Sequence, residues 1–179
     1  MIGQSGAGSA ARSTGAERYV IRAAQQSDLD AIAGFEVDIA TVSFGDEAIT
    51  DPAFHRRRVA GALGKQGEIT LVAVAAADPD APLGWAWMSG RTNSLTGARY
   101  GNFRSLAVAD IPSRGEIGEL LMAAILGAAD EAGFSHLTGK VNAANLPMRA
   151  LYRAFGFTAT HLTMEKHTGT DTADQDRTS

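Results

Sequence analysis

The chain has 179 residues, 45% of them hydrophobic and 20% charged, a composition that suits one globular domain with a substantial core. Its net charge of −4 argues against nonspecific binding of nucleic acid, which requires a basic surface. The chain contains no cysteine and its four histidines lack the spacing of metal ligands, so we predict no disulfide, no thiolate nucleophile and no metal site. We find no apolar run that could span a membrane and no signal peptide at the N-terminus, which fits a cytoplasmic protein.

The two ends of the chain differ in composition from its middle. Residues 1–17 are rich in Gly, Ser and Ala, and residues 168–179 are polar throughout. Such segments cannot bury enough apolar surface to offset the entropy lost on ordering, so we predict a disordered N-terminal arm and a disordered C-terminal tail. A single domain is therefore expected at residues 18–167.

The first elements of the domain are a short strand and two helices. Residues 19–22 indicate a short strand, and Ser27 with Asp30 is typical of a capping box at the start of a helix. That helix should extend to about Thr41. A second helix is expected at about residues 52–63.

A strand pair should follow the second helix. Residues 69–74 form a β-branched, apolar run that indicates a buried strand, and residues 83–91 indicate the next strand. Between them, residues 77–82 contain two prolines, which cannot donate hydrogen bonds within a central strand. We therefore predict a turn at 77–82 and an antiparallel hairpin.

The second half of the domain alternates strands with helices. In chain order we expect a strand at 99–108, a helix from about 117 to Gly133, a strand at 134–141, a helix from Pro147 to Gly156, and a closing strand at 157–166. A strand that follows a helical crossover favours parallel pairing. The fold class is therefore α/β, with a mixed central sheet flanked by helices on both faces.

One motif lies at the last helix and comprises Asn145, Pro147, Tyr152, Gly156 and Phe157. It resembles the pattern Asn-x-x-Ala-x-x-x-Tyr-x-x-x-Gly-Phe of the GNAT superfamily of N-acetyltransferases, with Met148 in place of the alanine. The resemblance implies acetyl-CoA as co-substrate, an Asn145 side chain on the pantetheine arm, and a Tyr152 hydroxyl near the sulfur. Tyr152 is then the candidate general acid, because a leaving thiolate with an ordinary pKa of about 8.5 benefits from a proton donor. The alternative is that Tyr152 only packs beside the apolar stripe of this helix.

A second motif joins the strand at 99–108 to the following helix. The family carries the CoA diphosphate on such a turn, where free N–H groups at a helix N-terminus bind anions. In a gapless register Gly118 fits the family pattern and Glu116 stands where the family has glycine, whereas a turn shorter by one residue matches Arg114 and Gly115. We prefer the shorter turn because it supplies a cation for the phosphates. The predicted diphosphate residues are Arg114, Gly115, Glu116, Ile117 and Gly118. The alternative is a plain helix start, with acidic residues complementing the helix dipole.

The strand before this turn contains Leu106, Ala107 and Val108, which resemble the family segment whose backbone binds the acetyl carbonyl and pantetheine. A β-bulge there would leave N–H groups free to stabilise an oxyanion. We therefore include these three residues in the cofactor site.

The general base is the least evident part of the predicted site. Glu36 is the best candidate, because it lies on the otherwise apolar stripe of the first helix, where a carboxylate requires an explanation. The alternatives are an edge residue that reaches solvent, and deprotonation through water.

Two further features concern the acceptor, and a third is a basic run on a helix. Arg104 is predicted to share a strand face with Asn102 and Leu106, where it would hold a substrate carboxylate or pair with a neighbouring acid. Trp85 and Trp87 share a strand face and should be core, with one wall of the acceptor site as an alternative. The basic run at 55–58 is expected to be a solvated helix face.

The resemblance thus predicts a direct transfer of the acetyl group from acetyl-CoA to a primary amine of a small molecule, an amino acid or a peptide N-terminus. The residues specify neither the acyl group nor the oligomeric state, so another acyl group and a homodimer are alternatives. The rival hypothesis is a non-catalytic GNAT-like domain with an acyl-CoA-binding or regulatory function. A nucleic-acid binder acting through the arginine run is disfavoured by the net charge, and no membrane partner is expected.

Overall fold

The computed structural model of the protein describes residues 18–161, 163–164 and 166. The predicted disordered arm at 1–17 and tail at 168–179 lie outside the described residues, and so does the domain's predicted last residue. Within the described part, the strands are β1 (Tyr19–Ala23), β2 (Glu68–Ala75), β3 (Asp78–Thr92), β4 (Arg99–Val108) and β5 (Leu137–Gly139). The helices are α1 (Leu29–Phe44), α2 (Pro52–Ala60), α3 (Arg114–Glu131) and α4 (Leu146–Ala154), with short 3₁₀ turns at Gln26–Asp28 and Gly45–Glu47.

The strands form one mixed sheet in the order β1-β2-β3-β4-β5. The first four strands pair antiparallel, and β4 pairs parallel with β5. The parallel pair is joined by α3, as a crossover between parallel strands requires. The predicted hairpin and the predicted parallel pairing are both confirmed.

Two apolar layers cover the sheet, one on each face. On one face α1 and α2 pack against Trp85 and Trp87 of β3, and on the other α3 and α4 pack against Ala86 and Met88 of the same strand. This division follows from the alternation of side chains along a strand. The predicted α/β class with helices on both faces is confirmed, and so is the burial of the two tryptophans.

The predicted turn at 77–82 is wrong. The turn is Ala76–Ala77, and β3 already begins at Asp78, so that Pro79 and Pro82 lie inside the strand. The pairing of β2 with β3 is irregular on both sides of Val74, which lies opposite Pro82. A bulged, exposed strand end does not require every N–H group, and it can therefore contain proline.

The first helix begins differently from the prediction. The reciprocal cap is formed by Gln25 and Asp28 around the 3₁₀ turn, instead of by Ser27 and Asp30. Asp28 accepts from the backbone N–H of Gln25 at 2.7 Å and from both terminal nitrogens of Arg22 at 2.7 and 2.9 Å. α1 then continues to Phe44, beyond the predicted end at Thr41. A buried ion pair with β1 thus selected the cap, which local sequence could not indicate.

The C-terminal part of the sheet is smaller than predicted. β5 spans three residues of the predicted strand at 134–141. The described residues of the predicted closing strand at 157–166 belong to no strand, and residues 162 and 165 of it lie outside the described part. Strand propensity is realised only where a partner edge exists, and so short a strand as β5 offers few groups to pair with. Both predicted glycine ends of helices are confirmed, since Gly133 and Gly156 have φ of 74° and 80°.

Among the described residues, every helix is too short or too polar to cross a bilayer.

The ion pair at the start of α1 yields a test of stability. Asp28 is 1% exposed. Burial acts to raise its pKa, but the hydrogen bonds from Arg22 and Gln25 outweigh burial, and the pKa is lowered. A group whose folded pKa is lowered stabilises the fold above its unfolded pKa of about 3.9, and this contribution is lost as the pH falls through the folded pKa.

We therefore expect Asp28→Asn to lower the free energy of unfolding by about 3 kcal/mol at pH 7, since it removes one partner of a buried pair. The difference from wild type should shrink as the pH falls below about 4. The matched control is Asp30→Asn, whose 86% exposed carboxylate pairs with Arg56 at 2.7 Å and should contribute about 0–1 kcal/mol. Urea titrations at several pH values measure both, and equal stability of Asp28→Asn and wild type at pH 7 would show that this ion pair does not stabilise the fold.

Candidate active site

The site is built around an opening between β4 and β5. Their ladder pairs Gly101 with Leu137, Asn102 with Thr138 and Phe103 with Gly139, and ends there. β4 continues to Val108, paired along its other edge with β3. Beyond Phe103, one edge of β4 therefore carries backbone N–H and C=O groups that the described strands do not pair. Such an edge can bind an extended ligand.

A β-bulge lies at the start of this opening. Trp87 pairs with Ser105 and Met88 pairs with Phe103, so Arg104 is the extra residue of β4. The bulge was expected at Leu106–Val108, and it lies two residues before that segment. It resets the alternation of side chains, so that Arg104 lies on the face of Trp87 whereas Leu106 packs in the core beneath α3 and α4. The prediction that Arg104 and Leu106 share a face is therefore wrong.

The predicted diphosphate turn is the first turn of a helix. α3 begins at Arg114, and its N-cap, Ser113, makes no capping hydrogen bond through its side chain. Gly115 and Glu116 thus occupy positions whose N–H groups have no partner within the helix, and such groups bind anions. A Cβ atom at Gly115 would meet nothing within 4 Å. The space beside Gly115 is therefore open.

The charges around this helix start are partly compensated. Nη2 of Arg18 donates to both oxygens of Glu116, at 2.8 and 3.0 Å. The guanidinium of Arg114 lies 3.8 Å from the exposed carboxylate of Asp110, a surface pair that holds it weakly. A ligand phosphate at the start of α3 would therefore lie near the carboxylate of Glu116, which is paired with Arg18. It would also lie near the guanidinium of Arg114, which is only weakly paired.

The remaining residues of this turn connect it to the opening. Ile117 is buried in the core. A Cβ atom at Gly118 would lie 3.9 Å from Leu151 of α4 and 3.9 Å from Val108 at the end of β4. The start of α3, the free end of β4 and α4 therefore meet at Gly118.

Tyr152 lies where the β4–β5 ladder ends. Its ring, 8% exposed, packs edge-on to Phe103 with centroids 5.8 Å apart and against Phe157 at 4.8 Å. A Cβ atom at Gly139 would overlap the Tyr152 hydroxyl. Burial raises the pKa of Tyr152 to about 12. At neutral pH the hydroxyl therefore keeps its proton and can donate it in a hydrogen bond.

Asn145 is the N-cap of α4. Its Oδ1 accepts from the backbone N–H of Met148 at 3.1 Å. Because this cap occupies the oxygen, the amide nitrogen is the part of the side chain that could donate to a ligand. Pro147 follows within the first turn, where its missing N–H costs little.

Glu36 is buried on the opposite face of the sheet. It is 2% exposed, and its oxygens accept from Nε1 of Trp85 at 3.0 Å and from the guanidinium of Arg58. The alternative of an edge residue reaching solvent is therefore wrong. As a general base, Glu36 would have to give up one of these partners.

The basic run at 55–58 is only partly a solvated face. His55 is buried, and Arg58 turns inward to Glu36. The guanidinium carbons of Arg58 and Arg104 each lie 5.3 Å from the centroid of the Trp87 ring. The pKa of Arg58 is lowered, first by burial and then by the charge of Arg104. The guanidiniums of Arg58 and Arg104 thus both contact the indole of Trp87.

Sequence reasoning missed Glu68, which completes this group. Its Oε2 accepts from Nε1 of Trp87 and from the hydroxyl of Ser89, both at 2.6 Å. Glu68 lies opposite Ser89 in the sheet, so the contact depends on strand register. Helical spacing could have indicated that Arg58 belongs to this group. The sequence around Arg18 and around Gly139 does not indicate their contacts.

Two shallow clefts of about 300 and 460 Å³ flank the β3–β4 hairpin. Arg91 and Arg99 line the first, and Tyr100, His136 and Thr138 line the second. Neither includes Tyr152, Asn145 or the start of α3.

Comparison with known proteins identifies the class. The model of the acetyltransferase (GNAT) family matches residues 38–157. The chain therefore belongs to the GNAT acetyltransferase family, as its motifs predicted. The match includes β4, the start of α3 and all of α4.

Solved structures agree in fold. The chain is similar to a mutant of the BH1408 protein from Bacillus halodurans, with a TM-score of 0.73 and 18% identity over 83% of this chain and 98% of that one. It is similar to an acetyltransferase from Trypanosoma brucei (0.62; 18% identity over 83% and 99%) and to a possible acetyltransferase from Clostridium difficile 630 (0.67; 19% over 86% and 99%). No curated protein matches the sequence.

The contact between Tyr152 and Gly139 can be tested by adding one methyl group. We expect Gly139→Ala to displace the Tyr152 ring and to lower the free energy of unfolding by about 1–3 kcal/mol, the usual cost of overpacking. Adding Tyr152→Phe should restore part of the loss, because the hydroxyl is the atom most affected. Urea unfolding and near-ultraviolet circular dichroism measure the two effects.

The matched control is Gly127→Ala in α3, where the new Cβ meets nothing within 4 Å. That variant should gain about 0.5–1 kcal/mol from helix propensity. If Gly139→Ala behaved like Gly127→Ala, Tyr152 would not be held against β5 as described.

Proposed function

We propose that this acetyltransferase moves an acetyl group from acetyl-CoA to a primary amine of a small molecule, an amino acid or a peptide N-terminus by direct transfer. The observation that carries the proposal is the position of the Tyr152 hydroxyl at Gly139, where the β4–β5 ladder ends and the free edge of β4 begins. Acetyl-CoA would supply an acetyl group activated as a thioester.

The residues of the opening suit this ligand. The first-turn N–H groups of Gly115 and Glu116, with the cation of Arg114, would hold the diphosphate. The turn from Ile117 to Gly118 brings α3 close to the end of β4. The lack of a side-chain cap and the open space at Gly115 support this fit.

The arm of the ligand would follow the free edge of β4. Backbone groups of Leu106, Ala107 and Val108 would bind the acetyl carbonyl and pantetheine, and the amide nitrogen of Asn145 would donate to pantetheine. A fixed N–H group at this edge stabilises negative charge on the acetyl oxygen without reorganisation.

In the reaction the amine nitrogen forms a bond to the acetyl carbon, the carbon–sulfur bond breaks, the amine loses a proton and the sulfur gains one. With a pKa raised to about 12, Tyr152 is a weak acid. Tyr152 would therefore donate a hydrogen bond to the charge that develops on sulfur, and the released thiolate, with an ordinary pKa of about 8.5, would take its proton from water.

A second candidate is a non-catalytic acyl-CoA-binding or regulatory domain. It is favoured by the engagement of Glu36 with Arg58 and Trp85, which leaves that carboxylate poorly placed to accept a proton. An enzyme does not require Glu36 as its base if water accepts the proton of the amine.

Acetyl-CoA binding and turnover test the proposal together. Ligand at a hundredfold excess over its dissociation constant adds about 2.7 kcal/mol, so the melting temperature should rise by about 5–10 °C. Release of free thiol from acetyl-CoA across a panel of amines should identify a substrate. A thermal shift without turnover on any amine would favour the non-catalytic candidate, and no shift at millimolar ligand would contradict both.

Tyr152→Phe separates chemistry from packing. It keeps the ring and removes the hydroxyl, so turnover should fall by about 10²-fold or more, with little change in the thermal shift by acetyl-CoA. Tyr19→Phe, which removes a hydroxyl from β1 and keeps the ring beside Arg18, is the control and should leave turnover unchanged. Unaltered turnover of Tyr152→Phe, with chemistry rate-limiting, would return Tyr152 to a packing role.

The pair of Arg18 and Glu116 predicts an ordered series of affinities for acetyl-CoA. Two exposed charges about 4 Å apart interact by about 1 kcal/mol, or roughly fivefold in Kd. We expect Glu116→Gln to tighten binding by this factor, Arg18→Ala to weaken it by a similar factor, and the double variant to lie near wild type. Each effect should shrink as salt rises. Calorimetric titration at two salt concentrations measures the series, and weaker binding by Glu116→Gln would overturn the assignment.

A further inference from the structure

The face of the sheet that carries Trp87 has a polar surface beside the opening. Tyr100, Asn102 and Arg104 alternate along β4 onto this face, and Thr138 of β5 donates to Oδ1 of Asn102 at 3.4 Å. Glu68 extends the same surface on β2, where its Oε2 accepts from the hydroxyl of the buried Ser89. An acceptor that approaches from this side would meet these groups before it reached the opening.

Charge is not evenly compensated on this surface. The carboxylate of Glu36 is paired with Arg58, and Oε2 of Glu68 is occupied by Trp87 and Ser89. Among the described residues, no carboxylate lies within 4.0 Å of the guanidinium of Arg104. Arg104 is exposed and has no ion-pair partner among these residues.

Arg104 is also held in place. Its guanidinium lies over the Trp87 ring, a contact that orients a cation on an indole. The same ring carries Arg58, and the repulsion between the two guanidiniums contributes to the lowered pKa of Arg58. An anion bound at Arg104 would relieve this repulsion.

Arg104 lies close to the segment that is proposed to bind the acetyl group. It is the bulge residue of β4, directly after Phe103, whose ring contacts Tyr152. The backbone segment proposed to bind the acetyl group, Leu106–Val108, begins two residues later. A small molecule bound at Arg104 would therefore lie next to the opening.

We propose that the acceptor is a small amine that also carries a carboxylate, and that Arg104, oriented by Trp87, binds this carboxylate. This inference rests on the proposed function and specifies its substrate class. One uncompensated guanidinium matches one negative charge, and its planar fork suits a carboxylate. The same cation disfavours polyamines, whose charge would be repelled.

Matched pairs of amines test the inference. The probes are glycine with glycinamide, β-alanine with β-alaninamide and γ-aminobutyrate with its amide, with spermidine as a polycation. In the wild-type protein we expect kcat/KM for thiol release to favour the best acid over its amide by about 10- to 100-fold, as a charge-assisted contact does. Spermidine should be the poorest acceptor.

Variants then identify the residue responsible. In Arg104→Gln the preference for the acid should fall to within about threefold, while the thermal shift by acetyl-CoA is unchanged. Arg104→Lys should keep part of the preference, since it keeps the charge without the fork. Arg57→Ala is the control, since this exposed arginine of α2 lies outside the Trp87 group and should leave the preference intact.

A binding measurement separates this inference from the proposed function. Thermal shifts by each acid and its amide, at equal concentration, report the carboxylate site even if no turnover occurs. A larger shift by the acids that disappears in Arg104→Gln supports the site, whether or not acetyl-CoA is consumed. Equal shifts and equal rates for acids and amides, or a preference for acids that persists in Arg104→Gln, would overturn it.

Discussion

The separation of β4 from β5 after the pair Phe103–Gly139 is the constraint on which the site depends. Up to that pair the two strands satisfy each other's backbone groups. Beyond it, β4 remains paired with β3, and the described strands leave its other edge unpaired. Tyr152 stands at the point of separation, between Phe103 and Phe157, with its hydroxyl against the one residue of β5 that has no side chain to obstruct it.

The β-bulge at Arg104 connects the two faces of the sheet. Without it, Arg104 and Leu106 would point to the same side, and the strand could not contribute a cation to one surface and an apolar side chain to the opposite core. With it, Leu106 packs beneath α3 and α4 while Arg104 rests on Trp87. One strand thus contributes to both the proposed cofactor side and the proposed acceptor side.

The pair of the buried Glu36 with the partly exposed Arg58 positions the helices that cover the proposed acceptor side. Burying a carboxylate costs several kcal/mol unless hydrogen bonds and a counter-charge compensate, so the partners of Glu36 tolerate little displacement. Here the carboxylate of α1 is bound by the guanidinium of α2 and the indole of β3. The pair therefore fixes α1, α2 and β3 relative to one another, and with them the Trp87 ring on which Arg104 lies.

Local sequence patterns were enough to predict several features of the fold. Apolar periodicity identified the strands and helices, Gly133 and Gly156 marked helix ends because they adopt a positive φ, and the pattern from Asn145 to Phe157 identified the family. The sequence also placed Trp85 and Trp87 on one buried face, because side chains alternate along any strand.

The remaining features depend on contacts between residues that are distant in sequence, and they became known only from the folded structure. The ion pair of Arg22 with Asp28 moved the cap of α1, irregular pairing admitted Pro79 and Pro82 to β3, and the predicted closing strand did not form in the described residues. The partners of Glu36, Glu68 and Glu116 come from other elements, so no local pattern announces them. Strand register and helix docking are set by the free energy of the whole fold, and a side chain's partner across the sheet is known only once that register is fixed.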